Sequence, residues 1–316
     1  MAQNISTQAA ALICGSVAYD TILVFPDRFK AHILPDKLHT LNVSFLVPEM
    51  RREFGGCAAN IAYGLNLLGD RGIAMATVGH DFAPYRERMI AQQLSVEHLK
   101  VVDGTFTAQA FITTDLDDNQ ITAFHPGAMQ FAHLNKVTDA GAGVALGIVA
   151  PDGRQAMIEH AAQFEAASIP FIFDPGQGMP MFGGDELKTF IRQARWVAVN
   201  DYEWGMLEQK TGLTAAEVAS QVDALIVTMG AKGSMIYTAG RTLTIPAAHP
   251  QAVVDPTGCG DAYRAGLIHG LLRGLDWEII GRTASLMGAI KIESRGPQNH
   301  RFTRTEFDRR YRDNFG

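Results

Sequence analysis

The chain has 316 residues, with 27 Lys and Arg against 33 Asp and Glu, a net charge of -6, and 47% hydrophobic against 19% charged residues. That balance suits a chain with a large core, excludes a mainly disordered one, and offers no basic field to nucleic acid or an anionic membrane. Three cysteines, Cys14, Cys57 and Cys259, show neither CxxC nor Cys/His ligand spacing. Neither a disulfide framework nor a zinc site is expected, and a reducing cytoplasm is the natural setting.

The first residues, MAQNISTQAAALICG, lack a basic region followed by a long apolar core. No apolar run approaches the roughly 18 residues of a membrane helix, so neither export nor membrane insertion is expected. From Ala11 onward, short β-type runs alternate with helical patterns, the mark of crossover units around a mainly parallel sheet. The expected strands are Ala11–Cys14, Ile73–Val78, Val144–Val149, Phe171–Asp174, Trp196–Val199 and Leu225–Thr228. Each is apolar and ends on Gly, Pro, Asn or Asp, so GSVAYD, APDG, DPGQG, NDYE and TMGAKG should gather at the carboxyl edge, where open α/β sheets bind ligands.

Two stretches break the alternation, Thr21–Arg52 and Thr107–His125. The second reads as a hairpin, because AQAFITTD and ITAFHP flank the polar turn DDNQ; together these pieces predict a small sheet that covers the site. The last third is helical, over Asp261–Arg273, Trp277–Glu293 and a final helix opened by Thr303 and Glu306 at capping-box spacing. No repeat or flexible linker divides the chain, which predicts one doubly wound α/β domain over 1–316 with a lid formed by parts of 21–52 and 107–125.

Two glycine-rich stretches carry the chemistry. In DPTGCGDAYRAGLIHGLL, residues 255–272, a turn leads straight into an apolar helix, and the amides of Gly258, Cys259 and Gly260 at its positive end suit a phosphate. Asp261 beside that anion suits a base that takes a proton from an attacking hydroxyl; the same position equally suits an ordinary helix cap. In EFGGCAANIAYGLNLLG, residues 53–69, Gly55 and Gly56 permit close approach of a ligand and Asn60 offers hydrogen bonds to neighbouring hydroxyls. Tight helix–sheet packing accounts for that pattern as readily.

Here the chain resembles the PfkB, or ribokinase-like, carbohydrate and nucleoside kinases. The first family pattern is met by the glycine pair, Ala58, Asn60, Ala62, Gly69 and Gly79, and the second by Asp255, Thr257, Gly258, Gly260, Asp261 and Gly266. Cys259 departs from the small residue usual there; at a helix start its thiol is expected to be reactive. The resemblance implies that Asp20, with Ser16 of the same turn and with Gly55, Gly56 and Asn60, binds the acceptor. It implies ATP held by Asn200, Thr228, Gly230, Gly233 and the 258–260 turn, Mg2+ near Glu203 through water, and a monovalent cation such as K+ near Asp255. Asp261 would be the catalytic base.

Within the family, the long 20–55 segment and DDNQITAFHPGAM resemble bacterial adenosine and nucleoside kinases. Phe45, Leu46, Val47, Phe111 and Phe124 would give the lid an apolar surface for a planar base. The expected activity is ATP-dependent phosphorylation of the primary hydroxyl of a nucleoside, adenosine or a related purine riboside, by a monomer or homodimer. Sugar and phosphosugar kinases remain the alternatives, as does a catalytically silent metabolite binder. A dinucleotide-dependent oxidoreductase is disfavoured, because the first strand ends in GSVAYD and lacks GxGxxG.

Overall fold

A computed structural model describes residues 9–33, 42–117, 119–238 and 240–316. Residues 34–41 of the expected lid segment and Asp118 of the DDNQ turn lie outside the described residues. The strands are β1 (Ala10–Cys14), β2 (Ala18–Val24), β3 (Glu49–Gly55), β4 (Arg71–Val78), β5 (Leu99–Val101), β6 (Ala108–Thr114), β7 (Gln120–His125), β8 (Val144–Val149), β9 (Phe171–Phe173), β10 (Trp196–Asn200), β11 (Ala224–Thr228), β12 (Ser234–Thr238) and β13 (Arg241–Ile245). The helices are α1 (Phe29–His32), α2 (Cys57–Leu67), α3 (Ala83–Ala91), α4 (Arg154–Ala166), α5 (Gly184–Gln193), α6 (Asp201–Thr211), α7 (Ala215–Ala219), α8 (Cys259–Leu272), α9 (Trp277–Ile292) and α10 (Arg304–Phe315).

The large sheet has the order β13-β12-β11-β10-β9-β8-β1-β4-β5, with only the β11-β12-β13 end antiparallel. Its faces bury separate cores. Along β1, Ala11 and Ile13 join one cluster while Ala10, Leu12 and Cys14 join the other. A strand covered on both sides has no solvent face to mark with polar residues, which is why AALIC is uniformly apolar.

The chain leaves β1 toward β4 on one side and returns through β8 on the other. Between β1 and β8 lies the topological switch point, where the carboxyl ends of adjacent strands open a crevice. Beside it stands the second sheet, of order β3-β2-β6-β7, in which β2 pairs parallel with β6 and the outer pairs are antiparallel. The hairpin read from DDNQ is β6–β7, and Asp115 holds its turn by accepting from the N–H groups of Asp117 and Asn119 while also accepting from Phe29 of α1.

Three helices bring the two glycine-rich stretches together. A side-chain carbon on Gly64 of α2 would come within 2.6 Å of Ala265 of α8, and one on Gly266 of α8 within 2.6 Å of the Ala284 backbone of α9. No side chain larger than hydrogen fits at Gly64 or Gly266, so α2 packs closely on α8 and α8 on α9. At the far end, buried Asp70 accepts from His269 Nδ1 and Arg273 Nη1, both at 2.6 Å.

Asp70→Ala strands His269 without its partner inside the protein and should lower unfolding free energy by about 3 kcal/mol. Urea denaturation measures this; a midpoint unchanged from the parent would show that the cluster does not fasten α8.

Candidate active site

At the switch point, the N–H of Ser16 donates to the carbonyl of Pro151 at 3.1 Å, and Cys57 Sγ donates to the same carbonyl at 3.2 Å. Ser16 Oγ and Cys57 Sγ are 3.3 Å apart. The turn after β1, the turn after β8 and the start of α2 therefore meet in one place. Next to them Asp152 is buried, and burial pushes its carboxyl up to about 8.

Gly55 and Gly56 are required by contact. A carbon on Gly55 would lie 2.5 Å from Asp20 Oδ2, and Gly56, at φ 90°, has the backbone of Ser16, Val17 and Ala18 at 2.6 Å from where such a carbon would sit. The glycine pair thus lets the Asp20 carboxylate close over the entry to α2. Asp20 is partly buried, and burial, with Glu53 and Asp255 close by, pushes it up to about 6. Register places Asp20, Glu53, Ala110 and Phe124 opposite one another across the small sheet, hence on one face, while Phe111 points to the other. Phe45 instead packs with Phe25, Phe29 and His32 at the outer end of that sheet. His125 is exposed at the end of β7.

Asp261 lies in the first turn of α8, whose cap residue Gly258 adopts φ 81°. Its Oδ2 accepts from Asn60 Nδ2 at 2.8 Å. Asn60 Oδ1 in turn accepts from Gln298 Nε2 at 2.9 Å, and the same Nε2 donates to Tyr85 Oη, whose hydroxyl donates to the Gly55 carbonyl. The sequence placed Asn60 on the acceptor's hydroxyls; in the fold one of its two amide N–H groups goes to the carboxylate. Burial pushes Asp261 up to about 7, Asn60 opposes the shift, and Asp174 adds to it. Gly260 is exposed, and nothing stands within 4 Å of the place a side-chain carbon would take, so the start of α8 presents open backbone. Of the three amides expected to face an anion, that of Cys259 donates to the Pro256 carbonyl at 3.1 Å.

The nucleotide-side residues sit at the ends of neighbouring strands, Asn200 of β10 in register with Thr228 of β11. Asn200 and Glu203 form the capping box of α6: Glu203 N–H donates to Asn200 Oδ1 and Asn200 N–H to Glu203 Oε2, both at 2.8 Å. Gly230, at φ 55°, has open space around it, whereas a carbon on Gly233 would strike the Ile245 carbonyl at 2.0 Å. The loop therefore has one open glycine and one packed one. Deeper in, Arg264 of α8 forms a two-pronged pair with Asp174, at 3.1 and 3.0 Å, with both side chains buried. Burial and Asp174 raise the Glu203 carboxyl above its usual value.

Two expectations fail beside α8. The Cys259 thiol is not lowered as expected: burial pushes it up to about 11, Lys291 opposes the shift, and Asp255 and Asp261 add to it. At Asp255 both carboxylate oxygens already accept, Oδ1 from Thr257 N–H and Oδ2 from Gly296 N–H, and the neighbouring carbonyls of Asp255 and Ser294 receive the ammonium of Lys291 at 2.7 and 3.1 Å. These residues do not fit a bound monovalent cation. Sequence reading missed Gln298, and with it Lys291, Tyr85 and Arg264, which carry no local pattern.

The model of the pfkB family of carbohydrate kinases matches residues 17–304. The chain belongs to the pfkB carbohydrate kinase family. A nucleoside kinase of Methanocaldococcus jannaschii is 30% identical over 84% of this chain and 87% of its own. The nucleoside kinase of Burkholderia thailandensis in complex with inosine superposes with a TM-score of 0.88 at 51% identity, covering 97% of this chain and 98% of that one. The same enzyme in complex with ADP-inosine gives a TM-score of 0.86 at 53% identity, covering 97% and 96%. This pfkB kinase therefore shares with those nucleoside kinases nearly its whole length, small sheet included. Among the described residues, no helix is long and apolar enough to cross a membrane.

Gln298→Leu leaves Asn60 Oδ1 unpaired and frees the amide that orients Asp261. It should lower kcat about tenfold while changing the KM for ATP little, since a lost buried hydrogen bond is worth about 1 to 3 kcal/mol. Steady-state kinetics with both substrates varied checks this; a pure KM effect would place Gln298 among the binding groups.

Proposed function

We propose that this pfkB kinase transfers the γ-phosphoryl group of ATP to the primary hydroxyl of a nucleoside, with a purine riboside such as adenosine or inosine as the preferred acceptor. The observation that carries the reading is Asp261, a carboxylate at the open start of α8, oriented by Asn60 and raised to about 7. A base poised near neutrality gives the best compromise between being ionised and taking a proton. Asp20 accepts hydrogen bonds from the ribose hydroxyls, with Ser16, Gly55 and Gly56 shaping the floor. The chain acts as one kinase domain, with β2, β3, β6 and β7 as its lid; closure excludes water that would otherwise hydrolyse ATP.

Phe124 supports a base-bearing acceptor, because it lies half exposed on the Asp20 face of the lid. A phosphosugar acceptor would need free cations there. Arg51 is engaged with Glu53 at 3.6 Å, and Arg52 lies over the Tyr19 ring on the opposite face. ATP extends from the α8 start toward Thr228 and Gly230, with Asn200 at the same edge. Among the described residues no three carboxylate, His or Cys side chains converge to ligate a metal directly. Glu203, with Asp174 behind it, fits Mg2+ held through water, and the ion would supply neutralisation of phosphate charge.

Asp261→Asn preserves shape and hydrogen bonding but cannot take the proton, so it should lose about 100-fold or more in kcat with nearly normal substrate binding. Below pH 7 the base is protonated, so kcat/KM should fall as pH drops through about 7, the value Asp261 takes in the fold. Near-wild-type turnover by the Asn variant would remove Asp261 from the chemistry. Separately, kcat/KM for adenosine and inosine should exceed that for ribose, fructose and fructose 6-phosphate, and Phe124→Ala should raise the nucleoside KM about tenfold, the value of a stacked ring. If any free or phosphorylated sugar is preferred to every nucleoside, the acceptor assignment is wrong while the kinase assignment stands.

A further inference from the structure

Lys291, on the last turn of α9, is fully buried. Lysine is almost never fully buried unless its charge is matched, because the effective cost of taking an ion out of water is several kcal/mol. Here the match is made by backbone carbonyls, those of Asp255 and Ser294. They come from two segments that also hold each other directly, through Val254 and Asp255 N–H to the Ile292 carbonyl and Gly296 N–H to the Asp255 carboxylate. Just beyond Asp255, the chain turns through Gly258 into α8, and the same 294–298 segment packs on that turn, with Pro297 where a side-chain carbon of Gly258 would go.

We propose that the Lys291 ammonium is a built-in monovalent cation: it fastens the turn that carries the α8 anion site, adds a fixed positive charge beneath it, and makes the enzyme independent of K+. The inference rests on the kinase reading for the use of that charge. Two carbonyl oxygens and an adjacent carboxylate are the hard-oxygen surroundings that suit a monovalent cation, and an ammonium is a compact point charge that satisfies them by hydrogen bonds. Burial lowers the pKa of Lys291, while Asp255, Cys259, Glu53 and Asp261 all act to keep the proton on. Because the charge is covalently tethered, its occupancy does not depend on salt.

The test compares wild type and Lys291→Met with K+, Na+ or choline as the sole monovalent cation. ADP formation from ATP and adenosine is followed by chromatography, and melting temperature is recorded in the same buffers. Wild-type rate and melting should be the same in all three. Lys291→Met should lose about 100-fold in turnover in choline, the scale of removing a charge-stabilising donor. Part of that loss should return with K+, together with a rise in melting temperature that choline does not give. A lysine with only a packing role would give a variant destabilised equally in every salt. Activation or specific thermal stabilisation of wild type by K+ overturns the proposal, as does a Lys291→Met enzyme that keeps the wild-type rate or responds to K+ in neither readout. If the variant does not fold, the wild-type comparison alone decides. If wild type phosphorylates no nucleoside, the kinase reading has failed, and the melting data still report on the cation site.

Discussion

The hydrogen bond from Asn60 to Asp261 joins residues 201 positions apart, and the rest of the site depends on it. It exists only because α2 and α8 approach at Gly64 and Ala265 and α8 approaches α9 at Gly266 and Ala284. Those crossings bring an acceptor-side helix and an anion-side helix to one point at the switch of the large sheet. Packing deep in the core thus fixes the distance between the group that would receive a proton and the surface that would receive the phosphoryl group. A shift of about an ångström there would undo the alignment on which such chemistry relies.

The second constraint is charge. Neighbouring carboxylates help to raise three of the site's acids, Glu53 and Asp255 acting on Asp20, Asp174 on Glu203, and Asp174 and Asp20 on Asp261, while the buried cations Arg264 and Lys291 stand beside them. Each carboxylate has a distinct means of support. Burial raises Asp255, but the N–H groups of Gly296 and Thr257 outweigh that and hold it below its usual value. Asp174 is neutralised by a two-pronged guanidinium. Asp20 and Asp261 have less support and are both raised. Asp152 and Glu203 are raised as well, so elevation alone does not mark the reactive groups; what sets Asp20 and Asp261 apart is their place at the entry to α2 and at the open start of α8.

Much of this was legible in the sequence. The alternation of apolar runs with helical patterns gave six large-sheet strands to within a residue or two, and AQAFITTD-DDNQ-ITAFHP gave the β6–β7 hairpin. Glycine-rich stretches marked both halves of the site, because contact demands glycine at positions 55, 56 and 258 and such demands are local. What stayed hidden was pairing over long distances. Nothing near Lys291 announces that two carbonyls await it, and Asn60 reads identically whether it serves a ribose or a carboxylate. The Cys259 expectation failed for the same reason: a helix dipole is visible in a sequence, whereas burial beside Asp255 and Asp261 is visible only in the fold.

The raised base also sets function against stability. A carboxyl at about 7 in the fold and 3.8 when unfolded holds its proton in the native state through that interval, so its contribution to stability falls as pH rises from 3.8 to 7. Three pKa units correspond to about 4 kcal/mol, an upper bound for a partly buried group, and a large share of a typical domain's margin. The Asp70 cluster at the other end of α8 and the Lys291 contacts beneath its start lie on the same helix and on the segment that leads into it. Fastening α8 at both ends allows its first turn to carry an unfavourable carboxylate in a fixed position, where an unfastened helix end would relieve the strain by fraying into water.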